Sequence, residues 1–253
     1  VFNKIYVHFI GKIHSNLQSD KNYKLVIDIE RREKIRNNHT ATHLLHQSLR
    51  KVFGNHVSQK GSLVNDQKLR FDYTSNEPLS EDKIKKIEFI VNSSIRLNII
   101  SEIKYMPLKE AMQSGAIALF GEEYPKNVRV LSIKSNDDSN SFVSVELCGG
   151  THVSSTGQIG FFKIINETSI SSGIRRIEAV TGNKAERHVY DKIHLLDDIK
   201  SLLKANDNNI LEKLKNIKEE NTSLKKNKLD KKDFFSVKNN INFGDTKIYY
   251  QNI

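Results

Sequence analysis

The chain has 253 residues, of which 37% are hydrophobic, and its 40 Lys and Arg against 30 Asp and Glu give a formal net charge of +10. A single cysteine excludes an internal disulfide and fits a reducing compartment, so we expect a cytoplasmic protein. No apolar run is long enough to cross a bilayer, so we expect no membrane partner; the positive surplus instead favours a polyanion, with nucleic acid first.

The first 36 residues are predicted to form β-strands. Residues 4–10 are rich in β-formers, and residues 23–29 alternate apolar and polar side chains with period two. Glycine and polar residues between the two runs indicate a turn. The chain begins at Val1 without an initiator Met, so we expect it to be a piece of a longer protein.

A helix that carries two histidines is predicted next. Asn37 or Asn38 can cap it. His39 and His43 are four residues apart and project from one side of its first turns. His46 shares that side, and spacing alone does not exclude it as a ligand. Apolar residues recur at helical spacing up to a stop at Gly54, namely Ala41, Leu44, Leu45, Leu49, Val52 and Phe53.

The middle of the chain mixes strands and helices, a pattern typical of an α+β fold. Helical periodicity begins after Ser80 and in a short stretch at residues 108–112. Two strands joined by a polar loop are expected to pair with each other. The predicted strands are residues 69–73, 103–106, 128–133, 142–147, 160–166 and 174–180.

A second cluster, CGGTH, holds Cys148 and His152. Its two glycines oppose a helix, so these residues are expected on a tight loop at a strand end. Together with His39 and His43 they make a complete ligand set for tetrahedral Zn²⁺. Metalloprotease chemistry is excluded because Thr40 stands where that motif needs Glu. Four protein ligands favour a structural zinc, although the sequence does not decide between a structural and a catalytic role.

Residues 184–229 contain neither Gly nor Pro and are predicted to form one long helix. Its apolar seam is an imperfect heptad repeat with one slip, which leaves self-association through this helix open. Asn206 and Asn221 occupy seam positions and would weaken it. The residues after the helix are expected to begin another module.

Four blocks now identify a resemblance. NHTATHLLHQSLR, VSQKGSLV followed by LRFDY, CGGTHV, and SGIRRIEAVTG occur in this order and together resemble the editing domain of alanyl-tRNA synthetase. The editing domain of threonyl-tRNA synthetase shares the His and Cys pattern, but CGGTH with SGIRRIEAVTG fits the alanyl enzyme better. The resemblance implies small β-barrel strands at 1–36, an editing domain at 37–183, a long coiled-coil-like helix at 184–230 and the start of a C-terminal domain at 231–253.

The resemblance also implies an activity and its residues. The activity is hydrolysis of Ser-tRNA(Ala) or Gly-tRNA(Ala), with tRNA(Ala) as partner; ATP is used only by the parent enzyme, which attaches alanine to tRNA(Ala). One zinc ion falls to His39, His43, Cys148 and His152. Gln59 matches a position linked to editing, and Thr40 and Thr42 are expected to line the pocket. Arg175 and Arg176 are expected to contact the RNA 3′ end or its phosphates; the alternative is that they form a solvated strand edge. The alternatives are a free-standing trans-editing deacylase and a zinc-stapled RNA-binding module without activity.

Overall fold

The computed structural model describes residues 11–12, 18–118, 123–135, 143–236 and 239–250. Its helices are α1 (Ile29–Phe53), α2 (Glu81–Arg96), α3 (Leu108–Gln113), α4 (Asn183–Leu202) and α5 (Ile210–Ser236). Its strands are β1 (Gln59–Val64), β2 (Leu69–Thr74), β3 (Ser101–Pro107), β4 (Asn127–Lys134), β5 (Val143–Leu147), β6 (Phe162–Ser171), β7 (Ile174–Thr181), β8 (Asn239–Phe243) and β9 (Thr246–Tyr250). The chain separates into two compact units, Val1–Lys184 and Ala185–Ile253. The predicted α+β class is confirmed.

Helix α1 begins earlier than the sequence pattern predicts. Asp28 caps it by accepting a 2.9 Å hydrogen bond from the backbone N–H of Arg31, whereas Asn37 and Asn38 lie within the helix. The predicted strand at 23–29 is therefore wrong: residues 22–28 have no regular structure and are exposed. An alternating pattern needs a neighbouring strand to become a strand, and a good cap directly before a helical run decides otherwise. The predicted strand at 4–10 lies outside the described residues.

A four-stranded antiparallel sheet in the order β1-β2-β7-β6 forms one wall of the main core. Alternate residues of β2 are fully buried because one face of the sheet packs against α1 and the other does not. Strand β1 was not predicted, whereas β2, β6 and β7 confirm the predicted strands. The core includes Leu44, Leu45 and Leu49 from α1, Leu69, Phe71 and Tyr73 from β2, Ile87, Val91 and Ile95 from α2, and Ile177 and Ala179 from β7.

A three-stranded antiparallel sheet in the order β3-β4-β5 contacts α1 through β5. Leu131 and Ile133 of β4 join the main core. Val128 and Val130, on the opposite face of β4, form a second core with β5 and α3. The predicted pairing of the two strands around the polar loop is confirmed by β4 and β5. Because β5 ends at Leu147, the CGGTH segment starts where this sheet meets α1.

The second unit does not contain the single long helix that the sequence predicts. Helix α4 ends at Leu202, and α5 begins at Ile210. Asn206 lies in the turn between them, where its Oδ1 accepts from the backbone N–H groups of Asn208 and Asn209. A side chain that replaces helical backbone partners in this way favours a turn. The helices are followed by a hairpin of β8 and β9.

Candidate metal centre

Four side chains from two distant parts of the chain meet between α1 and the end of β5. The potential donor atoms of His39, His43, Cys148 and His152 all lie within 4.8 Å of one another. The Sγ of Cys148 is 3.4 Å from Nε2 of His39 and 3.3 Å from Nε2 of His152. The structure therefore brings together the four residues that the sequence singles out.

The buried nitrogen atoms of this cluster fit a metal ion. Nε2 of His43 is buried and has no hydrogen-bond partner within the described ranges. A buried polar atom without a partner costs about 1–3 kcal/mol, and a shared cation would satisfy it. One thiolate with three imidazoles is a donor set that Zn²⁺ prefers. The cluster can therefore hold a metal ion, and its chemistry is compatible with zinc.

The electrostatics of the cluster favour the deprotonated ligands. Burial opposes the thiolate of Cys148, but hydrogen bonds with His152 and His39 outweigh it and lower the pKa of Cys148 to about 3. Burial lowers the pKa of His152 to about 4, so its imidazole is neutral at pH 7. Burial also opposes a charge on His43, but the nearby carboxylate of Glu146 and the thiolate of Cys148 raise its pKa to about 10. In the metal-free chain, a proton on His43 thus balances two buried anions, and a cation bound there would take its place.

Glu146 is the site residue that sequence reasoning missed. It lies on β5, is 5% exposed, and places its two carboxylate oxygens 2.9 Å from Nδ1 of His43 and 3.2 Å from Nδ1 of His46. Ser144 donates a third contact of 3.1 Å through Oγ. Burial disfavours the carboxylate, yet the two histidines hold the pKa of Glu146 well below its usual range. A carboxylate on Nδ1 orients the ring so that Nε2 faces the cluster.

The sequence carries only a weak signal for Glu146. Glu146 stands between Val145 and Leu147 on a strand that ends at Leu147, and this alternation of apolar and charged residues is typical of a strand with one exposed face, so only its place two residues before Cys148 distinguishes it. Buried carboxylates need partners. A search for acidic residues two positions before a ligand would have found it.

His46 contacts the carboxylate of Glu146 and is not one of the four potential metal donors. Its Nδ1 contacts Glu146, and its ring centroid is 5.3 Å from that of Phe71. His46 is 2% exposed. The ligand choice that helical spacing leaves open is thus resolved by side-chain direction, because His46 points towards β2 and β5.

The loop that carries Cys148 and His152 is held by contacts with β4 and with α1. Nη1 of Arg129 donates to the carbonyl of Cys148, and Nε of Arg36 donates to the carbonyl of His152, both at 2.5 Å. The backbone N–H of Cys148 donates to the carbonyl of Arg129 at 3.0 Å. Gly150 lies against His39: a Cβ at this position would be 2.0 Å from Cε1 of that ring.

Thr40 and Thr42 have different roles in the structure. Oγ1 of Thr40 lies 3.3 Å from Nδ1 of His152 and accepts a 3.1 Å hydrogen bond from the backbone N–H of Val153. Oγ1 of Thr42 donates to the carbonyl of Asn38 within α1 at 2.9 Å. Thr40 therefore ties the loop to the helix and contacts a cluster residue, whereas the hydroxyl of Thr42 is used within the helix.

Gln59 lies outside the cluster. It is the first residue of β1 and is paired with Tyr73 of β2. Directly paired residues of antiparallel strands share a face, so Gln59 lies on the sheet face that packs against α1. Within the part of the chain that the structure describes, no hydrogen bond joins its side chain to the four donors.

The two arginines of β7 lie on opposite faces of the sheet, as neighbours in a strand do. Arg175 forms a bidentate ion pair with Glu167, with Nη2 2.8 Å from Oε2. Arg176 forms another with Asp72, with distances of 2.7 and 2.8 Å. Each arginine is thus paired within the sheet, and their contact with RNA stays a prediction.

A pocket of about 270 Å³ opens beside the backbone of His152. Two residues of its wall also contact or belong to the loop: Arg36 donates to the His152 carbonyl, and the N–H of Val153 donates to Thr40. Its walls are Glu33, Arg36, Asn37, Val153 and Gln158. A small polar group can therefore reach the outer side of the loop.

Among the described residues, no helix combines the length and the apolar character that a bilayer-crossing segment requires. Residues 128–178 match the family model described as the threonyl and alanyl tRNA synthetase second additional domain. The matched segment runs from β4 into β7 and contains Glu146, Cys148 and His152, but not the histidines of α1. This part of the chain is similar to the second additional domain of threonyl- and alanyl-tRNA synthetases.

Proposed function

We propose that this chain is the editing part of an alanyl-tRNA synthetase and hydrolyses the ester of Ser-tRNA(Ala) or Gly-tRNA(Ala). One observation carries the proposal: three imidazoles and a thiolate converge, and two of the four donors lie in the segment that is similar to the second additional domain. The single cysteine suits a cytoplasmic enzyme, where thiols stay reduced. The net charge of +10 suits tRNA(Ala) as the partner.

The need for such an activity follows from the size of the amino acids. A synthesis pocket for alanine rejects serine, which adds one hydroxyl, by only about a hundredfold, and glycine is smaller than alanine. A second site must therefore recognise what the first cannot exclude. Buried polar groups that pair with a seryl hydroxyl are left unpaired by alanine, at about 1–3 kcal/mol. Gln59 and Thr40 are the side chains that we assign to this recognition, with Thr42 as a further pocket residue.

One zinc ion per chain would be held by His39, His43, Cys148 and His152, and when bound it would supply a positive charge that positions a substrate oxygen or amine. The remaining residues maintain that arrangement. Glu146 orients His43, Thr40 orients His152, and the loop carbonyls stay bound to arginines. An aminoacyl ester is already activated, so its hydrolysis needs an oriented water and a stabilised oxyanion rather than a strong nucleophile. We assign the orientation of water to Gln59.

Arg175 and Arg176 are proposed to act on the RNA backbone. Their ion pairs with Glu167 and Asp72 leave side chains that are 14% and 30% exposed. A paired arginine still presents N–H groups on its outer edge, and contacts of this kind position a nucleic acid without reading its sequence. Binding through phosphates should weaken steeply as salt rises.

Deacylation assays test the proposal and separate alanyl from threonyl specificity. Purified protein is incubated with Ser-tRNA(Ala), Gly-tRNA(Ala), Ala-tRNA(Ala) and Ser-tRNA(Thr). We expect the first two to lose their amino acid fastest and Ala-tRNA(Ala) to survive. Faster hydrolysis of Ser-tRNA(Thr) would assign the chain to the threonyl branch. Binding of tRNA without hydrolysis of any ester would contradict the proposal and support the zinc-stapled RNA-binding module.

A further inference from the structure

A row of three residues crosses the β3-β4-β5 sheet and ends at the metal centre. Tyr105 of β3 is paired directly with Arg129 of β4. The backbone N–H of Cys148 donates to the carbonyl of Arg129, one position beyond the pairing of Val130 with Leu147. Directly paired residues project from the same face. Tyr105, Arg129 and Cys148 therefore lie side by side on the face that packs against α1.

Tyr105 is exposed, whereas its two neighbours in the row are only partly buried. It is 76% exposed, and Ile103, on the same face of β3, is 42% exposed. The other end of the row is covered, because Sγ of Cys148 contacts histidines of α1 and the loop. β3 is the edge strand, and the helix does not cover it. The row thus leads from a partly buried cluster to an exposed aromatic ring.

The spacing of the row matches one nucleoside. Neighbouring strands are about 4.8 Å apart, so two steps separate the backbones of Tyr105 and Cys148 by roughly 10 Å. This is comparable to the length of an adenosine from its ribose hydroxyls to the far side of its base. Arg129 stands between them with its positive charge, and Nη1 is anchored to the carbonyl of Cys148. If the ester on the terminal ribose lies at the cluster, the base of the same nucleoside reaches the ring of Tyr105.

We propose that Tyr105 is the stacking platform for the terminal nucleobase of the aminoacylated RNA, with Arg129 beside the backbone that joins base and ester. The proposal rests on the proposed function, since it assumes an aminoacyl ester at the cluster. Unpaired terminal bases are bound by stacking on aromatic rings, which tolerates any base because each has a π-face. The cationic residue beside the ring suits a phosphate-bearing ligand and disfavours a purely apolar partner.

Two measurements test this assignment on the full chain. The first is the KM and kcat for Ser-tRNA(Ala) of the wild type, Tyr105→Ala and Tyr105→Phe. The second is equilibrium binding of a labelled CCA trinucleotide, which does not depend on catalysis. Phe89→Ala is the matched control, because Phe89 is an aromatic residue of α2 with a similar exposure of 67%. Serine methyl ester, which has no base, is the control substrate.

We expect Tyr105→Ala to raise KM and to weaken trinucleotide binding on the order of tenfold, the effect of one lost stacking partner. Tyr105→Phe keeps the ring and should match the wild type, as should Phe89→Ala. Hydrolysis of serine methyl ester should be the same in all four proteins. This pattern identifies stacking, because a merely structural change would alter both substrates.

The outcomes separate the two proposals. If the wild type hydrolyses Ser-tRNA(Ala) and Tyr105→Ala does so with an unchanged KM, the stacking platform is overturned while the proposed function stands. If no variant hydrolyses any ester, the proposed function fails, and trinucleotide binding alone decides on Tyr105. A changed oligomeric state in Tyr105→Ala with unchanged trinucleotide binding would assign the ring to a contact between two copies of the chain and overturn the proposal.

Discussion

The metal centre joins two half-sites that share a spacing of four residues and differ in how they are held. His39 and His43 lie one helical turn apart on α1, so backbone geometry alone aligns them. Cys148 and His152 have no helix between them. Their loop is positioned by hydrogen bonds that Arg36 and Arg129 donate to it and by one that Thr40 accepts from it.

The two half-sites should therefore differ in how easily a substitution disturbs them. The helical half-site is stabilised by the core that α1 shares with β2 and α2. A substitution that leaves the helix intact therefore leaves the two histidines aligned. The loop half-site depends on a few specific contacts at long sequence separation. Substitutions that remove no ligand should therefore damage the loop half-site far more than the helical one.

The largest effect is expected at Gly150. Its replacement by Ala places a Cβ 2.0 Å from Cε1 of His39, so the loop and the helix cannot keep their present distance. Gly149 has no atom within 4 Å of the equivalent position. We expect Gly150→Ala to lose nearly all bound zinc and Gly149→Ala to keep about one ion per chain, as measured by elemental analysis. Equal zinc contents in the two variants would show that the loop adapts freely.

Gln59 belongs to neither half-site and separates metal binding from catalysis. If it orients the water, Gln59→Ala should keep zinc and tRNA binding while slowing hydrolysis of Ser-tRNA(Ala) by about a hundredfold, the effect of one lost polar group at a developing charge. Gln67→Ala, at an exposed glutamine in the turn after β1, is the control. Full activity of Gln59→Ala in single-turnover assays would remove this residue from the site.

Much of this comparison follows from the sequence, and the reason is local spacing. The helical half-site, the Ser80 cap of α2 and the β4-β5 pair lie in segments whose own pattern determines their conformation. For the loop half-site the pattern predicts only that the two glycines of CGGTH form a loop. The start of α1 was wrong because residues 23–29 alternate like a strand but have no described strand beside them. Strand β1 was missed because it is mostly polar, contains Gly61 and has a bulge after Gln59, so only its pairing with β2 makes it a strand.

The parts that could not be predicted depend on contacts distant in sequence. Glu146 is meaningful only once β5 meets α1, a hundred residues away from His46. Arg129 and Arg36 are likewise ordinary surface cations until the loop reaches them. The break between α4 and α5 is local. The heptad pattern places Asn206 at a weak seam position of one helix, whereas its side chain forms a turn between two helices.

A substitution of Glu146 tests whether the helical half-site depends on contacts outside α1. Glu146→Gln keeps the size of the side chain and removes the charge that faces His43 and His46. Loss of a carboxylate behind a metal-binding histidine typically costs 10–100-fold in metal affinity. We expect a loss of about that size in a competitive chelator titration, with the fold retained by circular dichroism. Unchanged affinity would mean that helix geometry alone positions His43.

The smallest and most selective effect is expected from the two threonines of α1. Thr40→Val keeps the shape of the side chain, but it removes the hydrogen bond to His152 and leaves the buried N–H of Val153 without its partner. An unpaired buried donor costs about 1–3 kcal/mol, which we expect as a loss of roughly tenfold in zinc affinity, because the loop half-site carries the cost. Thr42→Val removes only a hydroxyl bond to the carbonyl of Asn38, which still accepts from the helical N–H four residues later.

Thr42→Val should therefore leave zinc affinity unchanged and alter the free energy of unfolding in urea by less than Thr40→Val does. The pair isolates the link between helix and loop, since both substitutions are identical in chemistry and lie two residues apart on one helix. Equal losses of zinc affinity in the two variants would indicate that the helix, and not the docking of the loop on Thr40, limits metal binding. Loss in Thr40→Val alone would establish that α1 also helps to align the loop half-site through Thr40, in addition to carrying the helical half-site.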